Sequence, residues 1–263
     1  MRTALLSLVL IGCGGAPAPT ANPTSPAPAT IAAPAPLRLT AVPRAVGDRF
    51  DETSYDHYDV MVDGVHIVEL QEYRCSREVR AVADGAVTEQ VTRYHQFHVE
   101  QRRDGRLAIG PDLAGHTYRV AVDGAELAIT RDDGAALDPA EREAVARDHN
   151  DLGSPMASSA LVGTAWVPGV EVGLDPAAQL RFFGEEASGT ATMTLMAATA
   201  DTVTFAGGNH RTFGDGVEVT ATGTFVYDRA TLRLRHREGT ATLAGAWVGR
   251  SERRTDITDV AAR

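Results

Sequence analysis

Six Asp-Gly dipeptides, at 63-64, 84-85, 104-105, 123-124, 133-134 and 215-216, constrain this chain more than any other feature. Such a pair supplies the positive φ angles of a type I′ turn, which joins two antiparallel strands in a two-residue hairpin. The first four recur about every twenty residues and leave long β-rich stretches between them, such as Ala86 to Arg103. Long strands twist and bend, so the spacing predicts a strongly curved, half-barrel-like antiparallel sheet with bulges.

Alternation carries the same message in the second half of the chain. Val217, Val219, Ala221, Phe225 and Tyr227 fall on one face of a strand, and Glu218, Thr220, Thr222 and Thr224 on the other. A turn over Asp228 to Thr231 then leads into Leu232-Arg233-Leu234-Arg235-His236-Arg237, where leucines alternate with charge. Strands of this kind build a sheet with one dry and one wet face. Arg233, Arg235 and Arg237 are expected on the solvated face, partly paired with Glu218.

Two helices are signalled by one repeated tetrad, Leu137-Asp138-Pro139-Ala140 and Leu174-Asp175-Pro176-Ala177. In each, the aspartate can cap free N–H groups and proline suits the first helical position. Glu141, three residues after Asp138, completes a capping box, and Gly153 offers a close, which places the first helix over 138–152. The second, over 175–184, ends near Gly184. Strands before and after two central helices predict an α+β fold with both helices packed on one face of the sheet. The folded domain covers 37–263, with lobes at 37–136 and 188–263 joined by the helices.

The N-terminus has the layout of a secretory signal: Met1-Arg2-Thr3, then an uncharged apolar run from Ala4 to Ile11. That run is too short to span a bilayer as a helix. Leu10-Ile11-Gly12-Cys13 resembles the lipobox of bacterial lipoproteins, which implies a signal peptide over 1–12 and diacylation of Cys13. Gly14 and Gly15 follow without the aspartate that retains such proteins in the inner membrane. The resemblance therefore implies a lipid-anchored (palmitate-type) protein of the outer membrane, on its periplasmic side. Residues 16–36 are almost entirely Ala, Pro, Thr and Ser, a composition that buries no core and favours extended chain. At about 3.1 Å per residue, this tether holds a domain up to roughly 60 Å from the bilayer.

The net charge is −10, from 25 basic and 35 acidic residues, and every basic residue is arginine. An acidic chain argues against nucleic acid as a partner. With Cys13 acylated, Cys75 has no thiol to pair with, and in "QEYRCSREV" it reads as a small buried hydrophobe on a strand.

The segments "REVRAVADGAVTEQVTRY" and "LAGHTYRVAVDGAELAITRDDGAALDPAEREAVARDHNDLGSP" resemble uncharacterised β-rich lipoproteins of high-GC, myxobacterial-type bacteria. The shared motifs are turns, caps and strand patterns, so the resemblance implies an architecture and no active site. That architecture is also similar to periplasmic lipoprotein carriers, whose half-open barrel holds acyl chains under helices.

No constellation in the sequence points to catalysis, a cofactor or a metal. His95 and His98 lie three apart, so on a regular strand they face opposite ways. His57 in "SYDHYD" lacks any calcium or zinc spacing. Ser154, Ser158 and Ser159 lack a nucleophile elbow. "AGGNHRTFGDG", residues 206–216, has no phosphate-loop lysine and reads as a mobile loop between strands.

The expected function is thus a non-catalytic, membrane-tethered module that binds a hydrophobic ligand or an envelope protein. Phe183, Val219, Phe225 and Tyr227 are the candidate ligand-binding side chains. A structural accessory lipoprotein docking on an outer-membrane assembly is the alternative.

Overall fold

The computed structural model describes residues 35–183, 188–213 and 216–260, apart from the side chains of 180–183. All belong to one compact unit, Pro34–Arg263. Its N-terminal half is a set of antiparallel strands: β1 (Arg49–Val62), β2 (Val65–Ala83), β3 (Ala86–Arg103), β4 (Arg106–Ile109), β5 (Thr117–Asp123) and β6 (Glu126–Arg131). Helix α1 (Pro139–Asp148), a 3-10 turn (Ala157–Leu161), β7 (Glu171–Gly173) and α2 (Pro176–Phe183) form the middle. The C-terminal half holds β8 (Ser188–Ala198), β9 (Thr202–Thr212), β10 (Val217–Asp228), β11 (Leu234–Gly245) and β12 (Trp247–Val260).

Four of the Asp-Gly pairs lie at two-residue hairpins, and three of these have the predicted turn. Both residues have positive φ at Asp63-Gly64 (51° and 79°), Asp84-Gly85 (52° and 78°) and Asp104-Gly105 (47° and 77°), as a type I′ turn requires. At 123-124 only Gly124 does, because β5 runs on through Asp123. Gly134 turns the chain between β6 and α1 without forming a hairpin, and Asp215 lies outside the described residues.

The strands form a single open sheet in the order β6-β5-β3-β2-β1-β12-β11-β10-β9-β8-β7, with β4 on the far end of β3. Its two meanders meet at β1 and β12, which pair along their whole length from Arg49↔Val260 to Val62↔Trp247. Register shifts interrupt the ladders at Arg74/Cys75, Val79/Ala81, Leu195/Ala197 and Val226/Tyr227, and bulges of this kind bend long strands. The fold class is as expected: mostly antiparallel sheet, not closed, with two helices.

Directly paired residues share a face. One row therefore runs Phe97, Tyr73, Ser54, Thr255, Arg237, Phe225, Phe205 and Leu195 across eight strands. This face carries both hydrophobic clusters. Under α1, Val145 meets Cys75, Tyr94, Tyr118, Val120 and Ile129; under the 3-10 turn and α2, Leu161, Trp166, Leu174 and Ala178 meet Met193, Leu195, Phe205 and Tyr227. Both helical covers thus sit on one side of the sheet, and among the described residues the other side is bare.

Local chemistry explains the helix starts and one early stop. Asp138 accepts from the Glu141 amide at 2.8 Å while Glu141 accepts from the Asp138 amide, the expected capping box. Asp175 caps α2 by accepting from the Ala178 amide at 2.7 Å. Helix α1 stops at Asp148, short of 152, because His149 leaves helical geometry (φ −116°, ψ 22°) and the Gly153 amide donates to Val87 O on β3.

Two strand readings are corrected. The glycine-rich stretch 206–212 is strand, not loop: Gly207 sits where a Cβ would lie 2.7 Å from Met193 Sδ and 3.0 Å from the Phe225 ring. Glycine is there for close packing. The arginines do not share one face, because β11 begins only at Leu234 and a bulge places Tyr227 opposite Leu234 but Val226 opposite His236. Arg233 pairs with Asp48 at 2.6 Å, Arg235 with Asp228, and Arg237 lies on the helix-covered face donating to Thr255 Oγ1 at 3.0 Å.

Candidate functional site

The side chains singled out from the sequence fall in or beside the second cluster. Tyr227 is buried, stacked on Phe225 (6.5 Å, 11° between planes) and edge-on to Phe205 at 6.2 Å. Phe225 and Val219 are half-buried on the same face. The side chain of Phe183 lies outside the described residues, as does Cys13.

Around Tyr227 the space is occupied by protein. Trp166, Leu161, Phe205, Leu195 and Leu232 are fully buried, and the Trp166 and Phe205 rings meet edge-to-face at 4.8 Å. The indole N–H of Trp166 donates to Leu161 O at 2.9 Å, which satisfies the polar edge of the ring inside the cluster. The 3-10 turn that presents Leu161 had no recognised signal in "SPMASSAL". Ser158 there is a structural hydroxyl, buried and donating to Leu232 O at 2.7 Å.

Between the two clusters the same face carries a buried polar seam. Arg77 on β2 forms a two-pronged pair with Asp148 at the end of α1 (2.8 and 2.9 Å), and its Nε lies 2.9 Å from a Glu52 carboxylate oxygen on β1. Tyr73 donates to Glu52 at 2.9 Å and Tyr94 donates to Asp148. Burial pushes the Glu52 carboxyl up, more than Arg77 pulls it down. Burial also opposes ionisation of Asp148, but the Arg77 charge and the tyrosine hydroxyls, Tyr94 first, outweigh it and hold this carboxyl low.

His149 is a core histidine in this seam. Its Nδ1 donates to Val145 O at 2.9 Å, so Nε2 accepts from Thr92 Oγ1 at 2.8 Å. Burial, with Arg77 nearby, keeps it neutral by lowering its pKa. Cys75 lies in the same surroundings, and burial pushes its thiol up to about 12, where it is inert as a nucleophile. Although Glu52 and Asp148 are shifted in opposite senses, both are spent on Arg77 and tyrosine hydroxyls. The arrangement latches α1 to the sheet.

Of the two histidines spaced three apart, His95 is exposed and His98 half-buried. A bulge sets His95 out of the regular pattern, where it bonds Ser76 Oγ at 2.7 Å, and His98 lies 3.9 Å from Glu100. Among the described residues no group of three His, Cys, Asp or Glu side chains can hold a metal ion.

An open concavity of about 680 Å³ lies on the bare face. Two rows cross its floor: Thr192, Gly208, Thr222, Thr240, Glu252, and Thr194, Ala206, Thr224, Glu238, Arg254. Glu171 on β7, opposite Thr194, closes one end. In sequence these threonines were legible only as the wet side of an alternation. Their convergence needed the order of the strands.

No family model matches the chain, and no curated protein matches it. Among solved structures, it is similar to one titled "Lipid-protein interactions in lipovitellin", at 10% identity and a TM-score of 0.39 over 83% of this chain. The chain spans about a quarter of that protein, 26%. A second, "De novo design of transmembrane beta-barrels", shares 4% identity with a TM-score of 0.18, over 82% of this chain and 100% of the other. Likenesses this weak carry no argument about activity.

Proposed function

We propose that the protein is a lipid-anchored, non-catalytic envelope module that binds its partner on the bare face of the sheet. What supports this reading above all is the contrast between the two faces. The helix-covered face is filled by Trp166, Leu161, Phe205 and Leu195, whereas the other carries the open trough. A hydrophobic ligand enclosed beneath the helices would need the volume those side chains occupy. Of the two partner classes suggested by the sequence, a surface-docked envelope component therefore suits the geometry better.

Acylation at Cys13 anchors the module, since two or more acyl chains hold where one binds only marginally. The Ala/Pro-rich segment lets the domain reach away from the bilayer. Expressed in a Gram-negative host, the wild-type chain is expected to stay with the membrane fraction through a high-salt wash, and Cys13→Ser to leave it. A variant that remains with washed membranes overturns the anchor. Organic extraction of purified Cys13→Ser protein is expected to yield no stoichiometric lipid. One lipid per chain would overturn the filled interior.

A further inference from the structure

We propose that the trough binds an extended β-1,4-linked glycan chain, neutral or carrying amino groups, laid across the strands. The inference deepens the surface-binding reading above and rests on it. Its first support is a segregation: every threonine of β8 to β11 lies on the bare face, and none on the helix-covered one. Threonine suits any solvated strand. Solvation alone does not demand it here, because β1 and β2 solvate the same face with Tyr55, His57, Asp59, Glu72 and Arg74. The first half uses charge, and the second uses short uncharged hydroxyls.

Those hydroxyls are available. Thr220 and Thr242 spend theirs on His210 and on a backbone carbonyl, but among the described residues those of Thr192, Thr194, Thr222, Thr224 and Thr240 make no bond within the protein. Each offers one donor and two acceptors, the same pairing capacity as a sugar hydroxyl. Gly208 and Ala206 keep the floor low between the threonine columns, so a flat ligand can approach the backbone. Adjacent strands lie about 4.8 Å apart, close to the rise of one pyranose along an extended β-1,4 chain, so successive sugars would meet successive strands.

Charge selects within the class. Glu171, Glu238 and Glu252 rim the trough, and the two arginines of its lining are spent on carboxylates, Arg253 on Asp56 and Arg254 on Asp256 at 3.2 Å. This rim repels phosphate- or carboxylate-rich polymers and accepts neutral or amino sugars.

The test is co-sedimentation of the full chain in detergent with insoluble chitin and with cellulose, and calorimetry with a soluble N-acetylglucosamine hexamer. Wild type is expected to bind at least one of these. Thr222→Arg, which puts a long cation in the floor, is expected to weaken binding by at least about tenfold at an unchanged melting temperature. Thr53→Arg, on the same face of β1, is expected to leave it intact. Thr240→Ala removes a hydroxyl without adding bulk and serves if the arginine variant fails to fold; it too should bind more weakly. Wild type that binds no glycan, or Thr222→Arg and Thr240→Ala proteins that bind as well as wild type, overturns the proposal. Absence of glycan binding in a protein still anchored through Cys13 removes the glycan alone, whereas release of wild type from washed membranes removes the anchored module itself.

Discussion

The two meanders of the sheet solve one problem with different materials. Each covers the same face with a helical segment, but β1 to β6 build their core from tyrosines and a buried ion cluster, whereas β7 to β12 use Trp166, Phe205 and aliphatic side chains. Their bare faces differ in parallel, charged in the first half and threonine-rich in the second. In the first half specificity of packing comes from hydrogen bonds and charge, so its helix can dock in one way only. The second half relies on shape.

The sharpest break in this comparison is at Arg77. Arg77→Leu leaves Glu52 and Asp148 buried without a cation and is expected to cost about 3 to 5 kcal/mol, read by denaturant unfolding. Replacing Glu52, Arg77 and Asp148 together with apolar residues should recover most of that loss. If the triple variant is no better than the single one, the seam stabilises by packing and not by charge.

Phe205→Ala is its counterpart in the second half. Emptying a fully buried aromatic site should cost about 3 to 5 kcal/mol, with no charge to remove in compensation. A loss below about 1 kcal/mol would mean that the cluster collapses or is less filled than the rings indicate.

Acid should act mainly on the first half. His149 stays neutral in the fold, so the unfolded chain takes up a proton first and stability falls as pH drops below about 6.5. Glu52, with its raised pKa, offsets part of this, since the fold takes up a proton before the unfolded chain does, down to about pH 4.3. Asp148 has a lowered pKa; its contribution is complete above about pH 3.9 and is lost as pH falls through the folded value. Melting temperature against pH should therefore decline in two stages, with the upper stage missing in His149→Gln.

The smallest expected effect is at the cap of α1. Asp138→Ala should cost about 1 kcal/mol, because one amide loses its acceptor while the helix keeps its seam contacts. A much larger loss would mean that α1 depends on its own start more than on the Arg77 latch.

How much of this was readable in the sequence depended on the range of the interaction. Turns and caps are local, and Asp63-Gly64 and Asp138 with Glu141 carry their geometry within four residues. Face alternation was readable wherever the strand was regular, as at Val219 and Phe225, and failed at the bulge beside Tyr227, which no local pattern announces. The 206–212 strand reads as a loop in the sequence because the reason for Gly207 is non-local: it answers to a methionine and a phenylalanine on neighbouring strands. Arg77, Glu52 and Asp148 are spread over about a hundred positions, and only the sheet order makes them neighbours.

The pairing of β1 with β12 has a consequence for how the chain reaches this state. The partners are about two hundred positions apart, so the central seam is the most non-local contact in the sheet and closes at a high entropic cost. Each meander can assemble from near neighbours, but until the last strand arrives β1 and β11 both present unpaired edges along twelve or more residues. The closing fourteen-residue strand ends that exposure; at the margins of the sheet stay β6, the four-residue β4 beside β3, and β8, which the three-residue β7 pairs only from Thr192 to Thr194. The greatest aggregation hazard of this protein therefore lies in the interval before its final segment docks, when two long inner edges are open at once.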